Sequence, residues 1–231
     1  MPNWCTYHIT IKGDLKTIQT VHAKIRVPEN EQVESPHAMG EYDLTRILPI
    51  PAELLISNRF VPEDSPEYPE WKTKTEANSA KYGYSDWYWW CLKNWGTKWS
   101  PSISSYDIEC DEANDAGAIV VSGLSAWSAP DRLVSNLTEM FPVNAVISYD
   151  EGGLGFGGAE GYVNGQCVHN GYFDYNDIPE IEQVMSAEQD READEADEYW
   201  EQRWESAQEA VEAEIDRQEV LAYKELGWIP A

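Results

Sequence analysis

The amino-acid sequence predicts an α+β protein with an acidic helical extension, and three observations carry this prediction. Segments of alternating polarity, typical of half-buried strands, are separated by segments with the apolar spacing of amphipathic helices. Hydrophobic residues make up 42% of the 231 residues, which is enough for one sizeable core. Residues 180–226 contain neither Gly nor Pro and are rich in Ala, Glu and Gln, a composition that favours a helix.

The first predicted elements are a strand and a helix. Residues 4–11 alternate in polarity and are followed by Gly13, which ends the strand. Asp14 is a suitable N-cap for a helix that ends before Pro28. The apolar residues of this helix recur at helical spacing and are Leu15, Ile18, Val21 and Ile25.

The next region indicates a second strand and an insertion rich in aromatic residues. Residues 44–48 are expected to form a strand that breaks at the following prolines, with a short helical turn after them. Residues 60–75 contain three prolines and are expected to be irregular. A Trp-rich helix is predicted over residues 78–94, ending at Gly96.

A hairpin, a helix and a further strand follow. Residues 103–110 and 118–124 flank an acidic turn and predict two paired strands. Pro130 suits the first turn of a helix that runs to Met140. Residues 144–149 then predict another strand, so that strands gather around two helices.

Glycine is concentrated in one short region. Eight of the 15 glycines lie between Asp150 and Gly171, and Asn164-Gly165 is a typical hairpin turn, so strands are expected around Tyr162 and over residues 167–169. Part of this region fits the letters G-x-G-x-x-G. A dinucleotide site needs those glycines to begin a helix, whereas a hairpin signature follows here. We therefore expect a glycine-rich bulged hairpin and no bound cofactor.

The cysteines and histidines offer little evidence for a metal or for catalysis. Cys5 and His8 are three residues apart on a strand and point to opposite faces, so they cannot easily share a metal. Cys167 and His169 are two residues apart, could lie on the same face and could share a metal. The chain contains no C-x-x-C pair, and its four histidines show no spacing typical of a nucleophilic triad. We expect reduced, buried thiols and assign no catalytic or metal-binding residue.

Charge is strongly unbalanced. The chain carries 42 Asp and Glu against 16 Lys and Arg, a formal net charge of −26, which makes nucleic acid and anionic membranes poor partners. Residues 176–226 contain 18 acids and four bases and so contribute −14. A basic protein surface is the expected partner. The acidic residues predicted to contact it are Glu192, Asp194, Glu195, Asp197, Glu198, Glu201 and Glu205.

The extension also carries a narrow apolar seam with four-three spacing. It is expected either to lie on its own domain or to pair with a second copy of the chain. A continuous helix over residues 181–226 would be about 69 Å long. Its linear charge density would then be one net charge per roughly 5 Å, against one charge per about 1.7 Å for duplex DNA. The helix alone is therefore a weak imitation of DNA. The seam residues predicted for self-association are Trp200, Trp204, Val211 and Ile215.

Five short motifs occur in a fixed order along the chain. They are Met1-Pro2-Asn3-Trp4-Cys5, Ile47-Leu48-Pro49-Ile50-Pro51, Asn94-Trp95-Gly96-Thr97-Lys98-Trp99, Ser125-Ala126-Trp127-Ser128-Ala129-Pro130 and the run from Tyr149 to Gly158. Together these motifs resemble the YubB-like proteins of phages and plasmids. This resemblance spans about residues 1–172 and implies a ferredoxin-like antiparallel sheet, a mobile-element origin and residence in the bacterial host cytoplasm. It supplies no catalytic residues and does not cover the acidic extension.

These observations predict the domain organisation and favour a binding function. Residues 1–175 are expected to form the ferredoxin-like domain, with an insertion around residues 52–100. The motif at residues 94–99 is expected to fix how this insertion docks on the domain. Residues 176–231 form the acidic helical extension. No leader or membrane segment is evident, so we expect a cytoplasmic protein. The favoured hypothesis is a non-enzymatic protein that binds and inhibits a host defence or nucleic-acid-processing protein. A self-associating assembly component is the alternative, and a small-molecule or glycan enzyme has the least support.

Overall fold

The computed structural model describes residues 3–31, 40–189 and 197–230. The strands are β1 (Trp4–Asp14), β2 (Ser102–Asp111), β3 (Ala116–Ala126), β4 (Val143–Glu151), β5 (Phe156–Val163), β6 (Gln166–Asn170) and β7 (Phe173–Asp174). The helices are α1 (Leu15–Ile25), α2 (Tyr68–Tyr82), α3 (Trp87–Asn94), α4 (Asp131–Met140), α5 (Pro179–Gln189) and α6 (Asp197–Glu225). Across these described residues, the structure contains no helix that is long and apolar enough to cross a membrane.

The strands form one antiparallel sheet in the order β2-β3-β1-β4-β5-β6, with β7 paired to β5. Apart from the insertion between α1 and β2, which contains α2 and α3, the elements β1, α1, β2, β3, α4 and β4 form a β-α-β-β-α-β pattern. With β1 central between β3 and β4, this is the ferredoxin-like topology. The predicted α+β class is therefore confirmed, and β5, β6 and β7 extend the sheet beyond β4.

The main core lies between the first face of the sheet and helices α1 and α4. Alternate residues of β1, among them Tyr7, Ile9 and Ile11, are almost completely buried in it. The α1 residues Ile18 and Val21 complete this layer. Asp14 caps α1 as predicted, because its Oδ1 accepts a hydrogen bond of 2.9 Å from the amide of residue 17.

The predicted strand over residues 44–48 is wrong, because these residues form a short 3-10 helix, Leu44–Arg46. Asp43 stabilises the turn by accepting hydrogen bonds from the Thr45 amide at 2.9 Å and from its hydroxyl at 2.7 Å. Leu44 nevertheless joins the main core. The segment between α1 and β2 therefore already contributes to the core well before residue 52.

The single helix predicted over residues 78–94 is also wrong. The irregular conformation predicted over residues 60–75 is confirmed for residues 60–67 and wrong for residues 68–75. Helix α2 already begins at Tyr68, with a proline in its first turn, and ends at Gly83, whose φ is +79°. Asp86 then caps α3. Asn78 fixes the break by donating hydrogen bonds to the carbonyl oxygens of Glu53 and Ser85 at 2.9 and 3.0 Å.

Helix α6 covers part of the second face of the sheet. A β-carbon built on Gly157 would lie 3.4 Å from Ile215 Cδ1, and one built on Gly161 would lie 3.6 Å from the Ala222 Cβ. The side chain of Tyr223 on α6 lies near that of Thr10 on β1. The glycines of β5 therefore let the helix approach the backbone of the sheet closely.

The predicted long acidic C-terminal helix is confirmed as α6, but it does not run continuously from residue 181, because α5 and α6 are two helices packed against each other. Val184 of α5 and Ala207 of α6 belong to one buried cluster, together with Phe173 and Val211. In a straight helix, Val184 and Ala207 would be about 34 Å apart. α6 packs on the sheet, whereas α5 packs on α6 and beside Phe173 of β7. The domain division at residues 175 and 176 stays a prediction.

Candidate functional site

The turn between β4 and β5 is organised around a buried carboxylate. Glu151 has no exposed surface, and its side chain accepts hydrogen bonds from the amides of Gly153 at 3.2 Å and Leu154 at 2.5 Å. Gly155 has a φ of +77°, a conformation that favours glycine, and its amide donates to the Glu151 carbonyl at 2.9 Å. The carboxylate of Glu151 thus stabilises the turn to which it belongs.

This arrangement argues against a phosphate site. Two amides that could face a pyrophosphate already donate to Glu151, and the glycines lead into strand β5 rather than into a helix. The predicted strands around Tyr162 and residues 167–169, joined at Asn164-Gly165, are confirmed as β5 and β6. The glycine-rich hairpin predicted from the sequence is therefore correct.

A cavity of about 550 Å³ lies between this turn and helices α5 and α6. Its wall on the sheet side comes from the turn and from Tyr175, and its other walls come from the two helices. Leu154 and Met185, at its rim, are 60% and 45% exposed. The lining residues are Asp150, Gly152, Gly153, Leu154, Gly155, Tyr175, Asn176, Ile181, Met185, Trp204, Gln208, Val211 and Glu212.

The charged side chains that line this cavity are both carboxylates, those of Asp150 and Glu212. The Tyr175 hydroxyl donates a hydrogen bond to Asp150 Oδ1, which holds that carboxylate against the cavity wall. Burial, followed by the hydrogen bond to Asp150, raises the pKa of Tyr175 above its ordinary value, so the hydroxyl stays protonated as a donor. The cavity therefore combines aromatic and apolar walls with negative charge.

The cavity continues into an acidic stripe along α6, which we define as Glu201, Glu205, Gln208 and Glu212. At 3.6 residues per turn, this spacing places all four on one side of the helix. All four are exposed, and the last two line the cavity. The carboxylates of the stripe and the carboxylates of the cavity thus form one surface.

The structure tests the position of only some of the acidic residues predicted to contact a partner. Glu192, Asp194 and Glu195 lie outside the described residues. Asp197 and Glu198 lie in the first turn of α6, and their side chains lie outside the described part. Glu201 and Glu205 are exposed on α6, where the prediction requires them to be.

The apolar seam of the extension lies on the chain's own domain, which is one of the two predicted alternatives. Val211 is buried, and Trp204 and Ile215 pack around the same cluster. Trp200 belongs to α6, but its side chain lies outside the described part. Self-association through these residues stays a prediction.

Asp150, Tyr175 and Glu212 are site residues that sequence reasoning missed. Helical spacing from Glu201 could have identified Glu212. Asp150 and Tyr175 have no such local signal, because they are 25 residues apart in the chain and meet only through the folding of the hairpin.

Neither cysteine-histidine pair can share a metal. Cys5 faces the main core, whereas His8 is hydrogen-bonded to Ser122 on the other face. A β-bulge pairs Cys167 with Tyr162 and His169 with Gly161, so the expectation that Cys167 and His169 could share a face is wrong. Among the described residues, no three His, Cys, Asp or Glu side chains could hold a metal ion.

All four cysteines are free thiols, as expected. Two of them, Cys110 and Cys167, are exposed rather than buried. Cys5 is buried, and this burial raises the pKa of its thiol to about 12. The Cys5 thiol is therefore protonated and a poor nucleophile at neutral pH.

Three of the five motifs meet at one end of the sheet, where they hold the insertion in place. Trp95 Nε1 donates to the Leu48 carbonyl at 2.8 Å. The buried Thr97 hydroxyl donates to the Ala126 carbonyl at 2.9 Å and accepts from the Ala126 amide at 3.2 Å. Ser128 Oγ donates to the Gly96 carbonyl at 2.6 Å. The expectation that the motif at residues 94–99 fixes the docking of the insertion is confirmed.

A second group of acids lies on the first face, near the start of α4. Glu160 accepts hydrogen bonds from the hydroxyls of Tyr149, at 3.0 Å, and Tyr162. Burial, and then the charge of Glu160, raises the pKa of Asp131 to about 6. The cluster thus brings two like charges, those of Asp131 and Glu160, near each other.

One sequence family matches part of the chain and supports its ferredoxin-like fold. Residues 105–201 match a sequence family described as "Ferredoxin-like domain in Api92-like protein". This range begins in β2 and ends in α6, so it includes α5 and the first residues of α6, which the resemblance stated above did not cover. A crystal structure of protein api92 from Yersinia pseudotuberculosis is similar at 13% identity with a TM-score of 0.42, over 75% of this chain and 98% of that chain. No curated protein matches the chain.

Proposed function

We propose that this chain is a non-enzymatic binding protein whose acidic stripe contacts a basic surface of a partner protein. One observation carries the proposal: the apolar seam of α6 is used inside the chain, so the stripe is held facing solvent beside the cavity. An ion pair of this helix, between Arg217 and Glu214, lies on the opposite side. The stripe is therefore available for an external cation.

The charge of α6 supports attraction and steering of a basic partner. The helix contains ten acids and three bases over 29 residues, a net charge of −7. Over a length of about 44 Å, this is one net charge per roughly 6 Å, even more dilute than expected from sequence. Imitation of duplex DNA by this helix alone is therefore not proposed. A surface of this charge favours rapid, salt-sensitive association with a basic protein.

We further propose that the partner is a bacterial host protein with a nucleic-acid-binding groove, and that occupying the groove inhibits it. Such grooves present clustered Lys and Arg, which is the chemistry that the stripe complements. Phage or plasmid origin and inhibition of a defence or nucleic-acid-processing protein belong to this proposal through the motif resemblance. The alternative, an assembly component that self-associates, would require α6 to expose residues that it now buries.

The test is capture of partners by the tagged full-length protein from bacterial lysate. We expect basic proteins to be retained at about 50 mM salt, released at about 500 mM, and displaced by added nucleic acid. Retention that is unaffected by both salt and nucleic acid would contradict the proposal. Purified captured protein would then be assayed for its nucleic-acid binding with and without this chain.

A further inference from the structure

The cavity beside the glycine-rich turn has the lining of a specificity pocket. It joins two carboxylates, those of Asp150 and Glu212, to the aromatic rings of Trp204 and Tyr175. No Lys or Arg is among the described residues that line it. Negative charge beside aromatic rings is the environment that an organic cation prefers, through hydrogen bonds to the carboxylates and through cation-π contact.

The size and rim of the cavity narrow the class of ligand. A volume of about 550 Å³ is in the range of ligand pockets and exceeds the needs of one ammonium group. Leu154 and Met185 leave apolar surface exposed at the rim. An apolar group next to the cationic group of a ligand would cover this surface. These features fit a cationic side chain followed by an apolar residue.

We infer that this cavity binds an arginine side chain of the partner together with an adjacent apolar residue. Arginine fits better than lysine, because its planar guanidinium can stack on Trp204 while donating two parallel hydrogen bonds to a carboxylate. Tyr175 orients Asp150 for this role by donating to Oδ1. The inference deepens the proposed function and rests on it, since the stripe leads the basic surface of the partner to this pocket.

A short peptide tests the pocket without the partner. The probe is Nα-acetyl-Arg-Leu-amide, added to the ¹⁵N-labelled full-length protein, with the Trp204 indole resonance assigned through Trp204→Phe. We expect a saturable shift of that resonance. The citrulline analogue keeps the shape of the probe but lacks the charge, and the lysine analogue lacks the planar fork. Both should bind about tenfold more weakly.

Two substitutions on α6 provide the matched pair. Glu212→Gln should weaken peptide binding several-fold, whereas Glu209→Gln makes the same change on an exposed residue that does not line the cavity and should leave binding unchanged. If the citrulline peptide binds as tightly as the arginine peptide, or if Trp204 shows no saturable shift, the proposal that the cavity binds a cationic side chain is wrong. Equal binding of the lysine peptide would overturn the choice of arginine.

The two proposals can fail separately. If the peptide does not bind but capture of a basic protein still depends on the acidic stripe, the pocket is wrong and the proposed function stands. If the peptide binds but capture is independent of the stripe, the pocket is right as a cation site and the proposed function is wrong.

Discussion

Ala222 of α6 lies directly over Gly161 of β5. A β-carbon on Gly161 would be 3.6 Å from the Ala222 Cβ and 2.6 Å from Leu226 Cδ1, so alanine there would require the Leu226 side chain to move, and a longer side chain would press against the helix. This contact sets how closely α6 approaches the second face of the sheet. It therefore also sets the orientation of the acidic stripe, which lies beside the seam on the solvent-facing side of the helix.

The substitution Gly161→Leu should loosen α6 without disturbing the main core. Overpacking of this kind costs about 1 to 3 kcal/mol, and the cost falls on the contact between the helix and the sheet. Hydrogen exchange should therefore accelerate in α6 and remain slow in β1. Ser105→Leu places the same side chain on the exposed strand β2 and should leave exchange in α6 unchanged. Equal protection of α6 in both variants would contradict this account of docking.

The substitution Thr97→Val should destabilise the whole fold. Valine keeps the shape of the buried threonine but leaves the amide and carbonyl of Ala126 without their side-chain partner. The expected loss is about 1 to 3 kcal/mol in the free energy of unfolding, measured in urea. Thr20→Val, on the exposed side of α1, removes a hydroxyl bonded to a helix carbonyl and should cost much less. Similar costs for the two variants would show that the motif does not hold the insertion.

Asp131 should give the protein an unusual pH response. Its pKa is raised from 3.8 to about 6 by burial and then by the charge of Glu160, with the neighbouring Arg132 acting in the opposite direction. The folded state therefore holds this proton more tightly than the unfolded state. The contribution of Asp131 to stability is consequently greatest below pH 4 and decreases as the pH rises to about 6.

The variant Asp131→Asn isolates this contribution, because asparagine is neutral throughout. Relative to the natural chain, its melting temperature should rise between pH 4 and pH 7, corresponding to a gain on the order of 2 kcal/mol at neutral pH. Carboxylates that do not interact with residue 131 contribute equally in both proteins and cancel in the difference. A difference in melting temperature between the two proteins that stays constant from pH 4 to pH 7 would contradict the raised pKa of Asp131.

The oligomeric state distinguishes the two uses of the α6 seam. Because Val211 and Ala207 are buried within the chain, the full-length protein should sediment as a 26.3 kDa monomer at micromolar concentration. A dimer that is dissociated by Trp200→Glu would instead support the assembly alternative. Sedimentation equilibrium of these two proteins measures this directly.

Local patterns predicted much of the sheet, because its elements obey local rules. The segments at residues 103–110 and 118–124, on either side of an acidic turn, predict β2 and β3, and Pro130 predicts the start of α4. Residues 44–48 were misassigned, because their apolar content reflects burial against the core, whereas Asp43 dictates the turn. The start of α2 was missed, because a proline that suits a first helical turn resembles one that breaks structure.

The candidate site was predictable only in part. Glu201 and Glu205 are visible in the sequence, because charge density needs no structure. The cavity required long-range information, since β5 must lie under α6 and α5 must pack against it before Asp150 and Glu212 can share a wall. The helix propensity of the extension is continuous, so nothing local separates its two helices.

The central claim is that the stripe on α6, rather than the acids of the sheet, makes the contact. Two variants with equal loss of charge separate these surfaces: Glu201→Gln, Glu205→Gln and Glu212→Gln on α6, against Asp107→Asn, Glu109→Gln and Glu112→Gln in and beside β2, all at exposed residues. The decisive measurement is the affinity of each variant for the captured basic partner across a salt series. We predict that the α6 variant loses at least about tenfold in affinity at low salt, with a flatter salt dependence, while the β2 variant binds like the natural chain. Equal losses, or a larger loss in the β2 variant, would contradict the account.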